Sequence, residues 1–351
     1  MVRSLECQAC NSGRVDDGPR LAGEQLQARL DRIGQQVRGR QVDSSAERRY
    51  LSPVDTEVLE AAEPLVKPPA PTELLAFTPR LFTQLSLPYR DPGDVVAWVR
   101  RNGALRLVVQ PGRVVAPATG EVGFGYPYGV VPRLLVIWMT GEVLKYRQRE
   151  LFLGPSLGRF LRWMNLTRGG KQAALVRDQM TRLFAATITV ETTSSHDGMS
   201  GWTMNSCRVA DSVQLWWHDA EPDDAVSGES TVMLSEKFYE SILDGSVPLD
   251  AQAIVKLRSS TRSPMALDIY AFLAHRLPRV KAPALARWAE LAVQFGGGYA
   301  EVRKFKRDFL KELAHVVAVY PTANVEATPD GLVLRGSKPA IPRRAREGVK
   351  R

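Results

Sequence analysis

The chain has little cysteine and little histidine, three of one and four of the other in 351 residues. Three cysteines cannot build the disulfide framework of a small secreted domain. Cys7 and Cys10 form one CxxC, but no second CxxC or His pair accompanies it, so no metal site is expected. His196, His218, His275 and His315 are scattered, which excludes the His-hydrophobe-His metal pair that an origin-nicking tyrosine enzyme needs. A phosphate-cradling GxxxxGK[ST] loop is missing as well. The string "LTRGGKQA" has Gly169, Gly170 and Lys171, but Gln172 follows the lysine and no strand leads in. The longest apolar run, "LLVIWM" at 134–139, falls far short of the roughly 20 residues that span a bilayer. The opening "MVRSLECQACNSGR" has no apolar signal-peptide core. These absences lead us to expect a cytoplasmic protein without membrane contact, cofactor, metal or enzymatic chemistry.

What the chain does have is positive charge, unevenly spread. The formal net charge is +9, yet residues 1–76 hold 10 basic and 12 acidic groups, so the excess lies entirely in the remainder. A basic globular body favours a polyanionic partner, nucleic acid first.

Residues 1–72 read as a flexible tail. Leu26, Leu30, Ile33 and Val37 make one apolar stripe of an amphipathic helix. Pro53, Pro64, Pro68, Pro69 and Pro71 mark an extended linker. A first domain is expected over 73–240. There "LRLVVQ" alternates as a strand, "VPRLLVIWMTGEVLKY" is an apolar helix, "RELFLG" is a strand, and Ser156 caps a short helix. A basic helix follows, then strands "ATITVETT" and "VQLWWHD" joined by a polar loop from Ser194 to Ala210, with Trp216 and Trp217 on opposite faces and each expected in the core. A second domain is expected over 241–340. It has a helix entered through Asp250, another from Ser263-Pro264, a third over 284–295, a glycine break, a second basic helix and a hairpin around Asp330-Gly331. Residues 341–351 form a basic tail. Helix, strand, helix, helix and a two-stranded wing is the winged-helix order, so the expected fold is α+β with two winged-helix domains in tandem.

The two basic helices superpose without gaps at an offset of 130, Arg177-Asp178 on Arg307-Asp308 and Leu183 on Leu313. In the first, Val176, Met180, Leu183 and Phe184 form the inward face, leaving Lys171, Arg177, Thr181 and Arg182 outside. In the second, Val302, Phe305, Phe309, Leu313 and Val316 turn inward and Arg303, Lys304, Arg307 and Lys311 outward. Charged outer faces are ordinarily just solvated. A repeat in the same slot of a basic body points instead to DNA, because the last helix of such a trio fits the major groove.

The strings "LPYRDPGDVVAWVRRNG", "YPYGVVPRLLVIWMTGEV", "QMTRLFAATI" and "SPMALDIYAFLAHRL" resemble the RepA family of plasmid replication initiators, from about Gln84 to Ile341. The resemblance implies a bacterial, plasmid-associated protein that binds repeated origin sequences (iterons) in duplex DNA and opens the adjacent duplex. It also implies partners in the host helicase and host initiator, and a homodimeric form that represses its own promoter. The eight outer residues named above would be the DNA readers. A winged-helix transcriptional repressor without initiator activity is the alternative.

Overall fold

The computed structural model describes residues 75–341 apart from 117–119, 165, 167–169, 198 and 217–229. The Leu26–Val37 stripe, the proline linker, Cys7, Cys10, Trp217 and the basic C-terminal run lie outside the described residues.

The described chain begins with β1 (Leu75–Pro79), α1 (Leu81–Gln84), β2 (Trp98–Asn102), β3 (Leu105–Gln110), β4 (Arg113–Ala116) and β5 (Gly120–Gly123). Helix α2 (Val130–Tyr146) is apolar nearly all round, and Leu134, Leu135, Met139 and Val143 are fully enclosed, as befits a helix at the centre of a core. Next come β6 (Glu150–Phe152) and α3 (Pro155–Trp163). Gly154 is the N-cap of α3 and Pro155 occupies its first turn, so Ser156 lies inside the helix and does not cap it. The first basic helix, α4 (Gly170–Ala185), leads into β7 (Thr187–His196), β8 (Met199–Arg208), β9 (Ala210–Gln214) and β10 (Thr231–Leu234).

The expected polar loop from Ser194 to Ala210 is largely β8. It pairs with β7 from Thr187↔Arg208 out to His196↔Met199, and its side chains are nearly all exposed. Backbone pairing, rather than burial of one face, makes this segment a strand. Strand β9 pairs not with β7 but with β10. Trp216, just past the end of β9, is 58% exposed rather than in the core.

Ser235 caps α5 (Glu236–Asp244), in which the expected border at 240 falls. After β11 (Ser246–Asp250), the Asp250 carboxylate accepts from the Gln252 and Ala253 amides and starts α6 (Ala251–Ser260). Helix α7 (Pro264–Arg276) follows. The stretch 284–295 is not one helix: Ala284–Arg287 is a strand, β12, held by pairing with β14, and α8 (Trp288–Phe295) begins after it. The second basic helix is α9 (Val302–Val319), and β13 (Val325–Ala327) and β14 (Gly331–Leu334) close the described chain as the expected hairpin.

Helix and sheet are thus mixed, and the two halves share one plan. In the first, α2, β6, α3 and α4 precede β9 and β10; in the second, α7, β12, α8 and α9 precede β13 and β14. The sheet orders β6-β10-β9 and β12-β14-β13 correspond strand for strand. The β7–β8 hairpin is an insertion in the first half, and joins β2 and β3 in a sheet ordered β2-β3-β7-β8.

The halves are stitched together at several places. Strand β1 pairs antiparallel with β11 along its whole length. Arg133 of α2 grips Asp268 of α7 with two bonds of 2.8 Å. Its remaining N–H groups reach the carbonyls of Leu87, Pro88 and Gly129, so all five guanidinium donors are used in a buried site. A nearby seam places the buried Arg100 guanidinium of β2 over the Trp98 ring and directly against Gly297, where any side chain would collide with it.

Candidate nucleic-acid interface

Helix α9 separates its faces cleanly. Phe305, Phe309, Leu313 and Val316 are fully buried, and Phe309 meets the rings of Phe305, Phe295 and Trp288 at 5.4, 5.6 and 5.9 Å. Val302, expected inward, is 48% exposed because it opens the helix, ahead of the first turn that packs. Arg303, Lys304, Arg307 and Lys311 are all exposed. Lys304 pairs with Glu301 and Arg307 with Asp308, both at 2.9 Å between exposed side chains, interactions that water and salt readily compete away. Asp308 also accepts from the Tyr299 hydroxyl at 3.2 Å. On the same helix Lys306 lies over the Trp288 ring and reaches the Thr328 and Pro329 carbonyls, which ties the β13–β14 turn to the N-terminal half of α9.

Helix α4 buries Val176, Met180, Leu183 and Phe184 as its spacing requires. Lys171 is exposed, whereas Arg177 and Thr181 are half-buried. The Thr181 hydroxyl donates to the Arg177 carbonyl. Arg182 does not stand with them. Its guanidinium bonds Asp178 at 2.9 Å and Asp91 at 3.0 Å, reaches the Tyr126 carbonyl, and lies over the Tyr128 ring. Gly125, at φ +75°, gives it room, since a Cβ there would meet the guanidinium. Arg182 therefore clamps the loops before and after β2–β5 to α4, and less of its side chain is open to a ligand than at the exposed cations of α9. Arg182→Ala is expected to lower stability by about 1 kcal/mol, because water can replace the guanidinium at the two exposed carboxylates; urea denaturation measures it, and an unshifted midpoint would show that the clamp contributes nothing.

Between α4 and α9 lies a cleft of about 930 Å³. Gln172 and Gln179 of α4 and Lys311 of α9 line it, together with Arg258 from the last turn of α6 and Arg262 just beyond. The Gln179 side chain is fixed there by accepting from the Tyr128 amide at 2.8 Å. No signal in the sequence separates Arg258 and Arg262 from any other arginine; only the packing of α6 beside α9 brings them to the cleft.

Two equivalent halves, each carrying a basic helix ahead of its strand pair, define a protein suited to a polyanion. Residues 126–291 match the family model for plasmid encoded RepA protein, which bears out the RepA resemblance of the sequence strings and supports a replication-initiator role. The match contains all of α4 and ends before α9. Among solved structures, the chain is similar to a crystal structure of domains 2 and 3 of RctB, at 10% identity and a TM-score of 0.47, with 76% of this chain and 99% of that one covered. A second structure of RctB domains 2–3 gives 10% identity and a TM-score of 0.42, covering 72% and 93%. No curated protein matches the chain. Among the described residues no group of three or more His, Cys, Asp or Glu could hold a metal ion, and no helix is long and apolar enough to cross a membrane.

Proposed function

We propose that the chain is a non-enzymatic plasmid replication initiator that binds direct repeats at its origin. In this reading the two halves are winged-helix modules, and α4 and α9 enter successive major grooves of duplex DNA. The observation that carries it is the recurrence of a basic helix in the same slot of the same element order, before two sheets of the same strand order. The outward, weakly paired Arg303, Lys304, Arg307 and Lys311 are suited to phosphates and guanine edges. Opening of the adjacent duplex, contact with the host helicase and host initiator, a self-repressing dimer and a cytoplasmic location belong to the same reading.

Selection of bound sequences from a random duplex library with the full chain tests it. A single enriched repeat should emerge, bound about a thousandfold or more tighter than scrambled duplex. Its affinity should fall steeply with salt as phosphate counterions are displaced. No enriched sequence, or binding indifferent to salt, would overturn the reading. A plasmid bearing this gene and the selected repeats then separates initiator from repressor, since only an initiator makes it replicate.

A further inference from the structure

The cleft between α4 and α9 holds an arrangement of charge that folding alone does not favour. Arg258 is half-buried, and its Nε is enclosed without a hydrogen-bond partner. Burial and the neighbouring positive charge of Arg262 both push the Arg258 guanidinium below its ordinary range. Lys311 adds a third cation on the facing helix. The nearest acid on α9, Glu312, bonds the Thr261 hydroxyl at 2.9 Å. Among the described residues, no ion pair joins a carboxylate to Arg258, Arg262 or Lys311. Arg262 and Lys311 are exposed, so the cost falls on Arg258, whose half-buried guanidinium has a like charge beside it and an unmet donor.

An anion entering the cleft would reverse both penalties. The guanidinium fork matches a phosphate bidentately, and Gln172 on the opposite wall offers a neutral polar group. At about 930 Å³ the open cleft accepts a stretch of sugar–phosphate rather than one small ion. The cleft is lined by both basic helices, so a backbone seated in it would touch each of them.

We propose that this cleft is a phosphate seat, in which Arg258 and Arg262, with Lys311, hold the sugar–phosphate backbone of the DNA passing between α4 and α9. The proposal rests on the reading of those helices as DNA readers. The seat reads no base. It fixes the distance between the two reading helices and so couples the halves of each repeat.

The test uses the full chain with the duplex it selects and a scrambled duplex, comparing wild type with Arg258→Gln/Arg262→Gln. The double variant should lose roughly tenfold or more in affinity for both duplexes and flatten the slope of log K against log salt by about 2, one for each lost phosphate contact. The ratio between the two duplexes should hold. Without DNA, Arg262→Gln should melt no lower than wild type, because it relieves a like-charge pair. Unchanged affinity and slope in the double variant would overturn the seat while leaving the reading helices intact, whereas failure of the wild-type chain to bind duplex would remove the reading itself. A lower melting temperature for Arg262→Gln would mark that arginine as structural and overturn the proposal. Displacement of the duplex from wild type by micromolar nucleoside triphosphate, lost in the double variant, would assign the cleft to a free ligand and overturn it too.

Discussion

Asp268→Ala should cost about 3–5 kcal/mol of stability, the characteristic penalty for leaving a buried charge without its partner. Arg133 and Asp268 are both buried, and the pair is bidentate with every remaining guanidinium donor committed to a carbonyl. Removing the carboxylate strands a cation that cannot reach water. Because the pair joins α2 to α7, the loss falls on the seam between the halves. Urea denaturation followed by fluorescence should show a large drop in midpoint, with the single transition separating toward two. Replacing both partners, Arg133→Met with Asp268→Leu, should recover much of the loss, since it removes the stranded charge as well as the bond. A single variant within about 1 kcal/mol of wild type would contradict the buried-pair account.

The second large effect separates folding from binding on one helix. Phe309 is fully enclosed by three aromatic rings, so Phe309→Ala should cost about 3–5 kcal/mol through lost burial and the cavity left behind. Arg307, two residues away, is exposed and pairs with its neighbour Asp308, so Arg307→Ala should leave the melting temperature almost unchanged. The same change should weaken binding to the selected repeat by about 1–3 kcal/mol. Arg177→Ala is the matching variant on α4, although its half-buried side chain makes it the less clean probe. Calorimetric melting and anisotropy titration together decide. Wild-type affinity in both arginine variants would make these helices ordinary solvated faces.

Much of α9 was legible because its apolar residues recur at the helical period and its cations fill the gaps between them. The Asp250 cap, the Ser263-Pro264 start and the β13–β14 hairpin were legible because each is a local device of a few residues. Strand β8 was not. In "MSGWTMNSC" nearly every side chain but those of Ser206 and Cys207 is exposed, so the strand lacks the alternation that marks a half-buried one, and its pairing with β7 arises from the hairpin itself. "ALAR" reads as helix by propensity and becomes β12 only because β14, far along the chain, offers it an edge. The candidate site divides along the same line. The outward cations of α9 follow from periodicity. The diversion of Arg182 depends on Asp91, 91 residues away, and the gathering of Arg258, Arg262 and Lys311 depends on how α6 lies beside α9.

The pairing of β1 with β11 bears on how such a gene can be rearranged. Strand β11 leads directly into α6 and the second half, yet its partner lies at the opposite end of the first half. A recombination joint placed midway would pair the β1 of one parent with the β11 of the other, so side chains that never packed together would meet across this two-stranded sheet. Exchange between related genes is therefore expected to succeed with crossovers that keep residues 75–79 and 246–250 from one parent. Conversely, a chain cut near Gly245 carries in its two fragments the complementary strands that would let them reassemble.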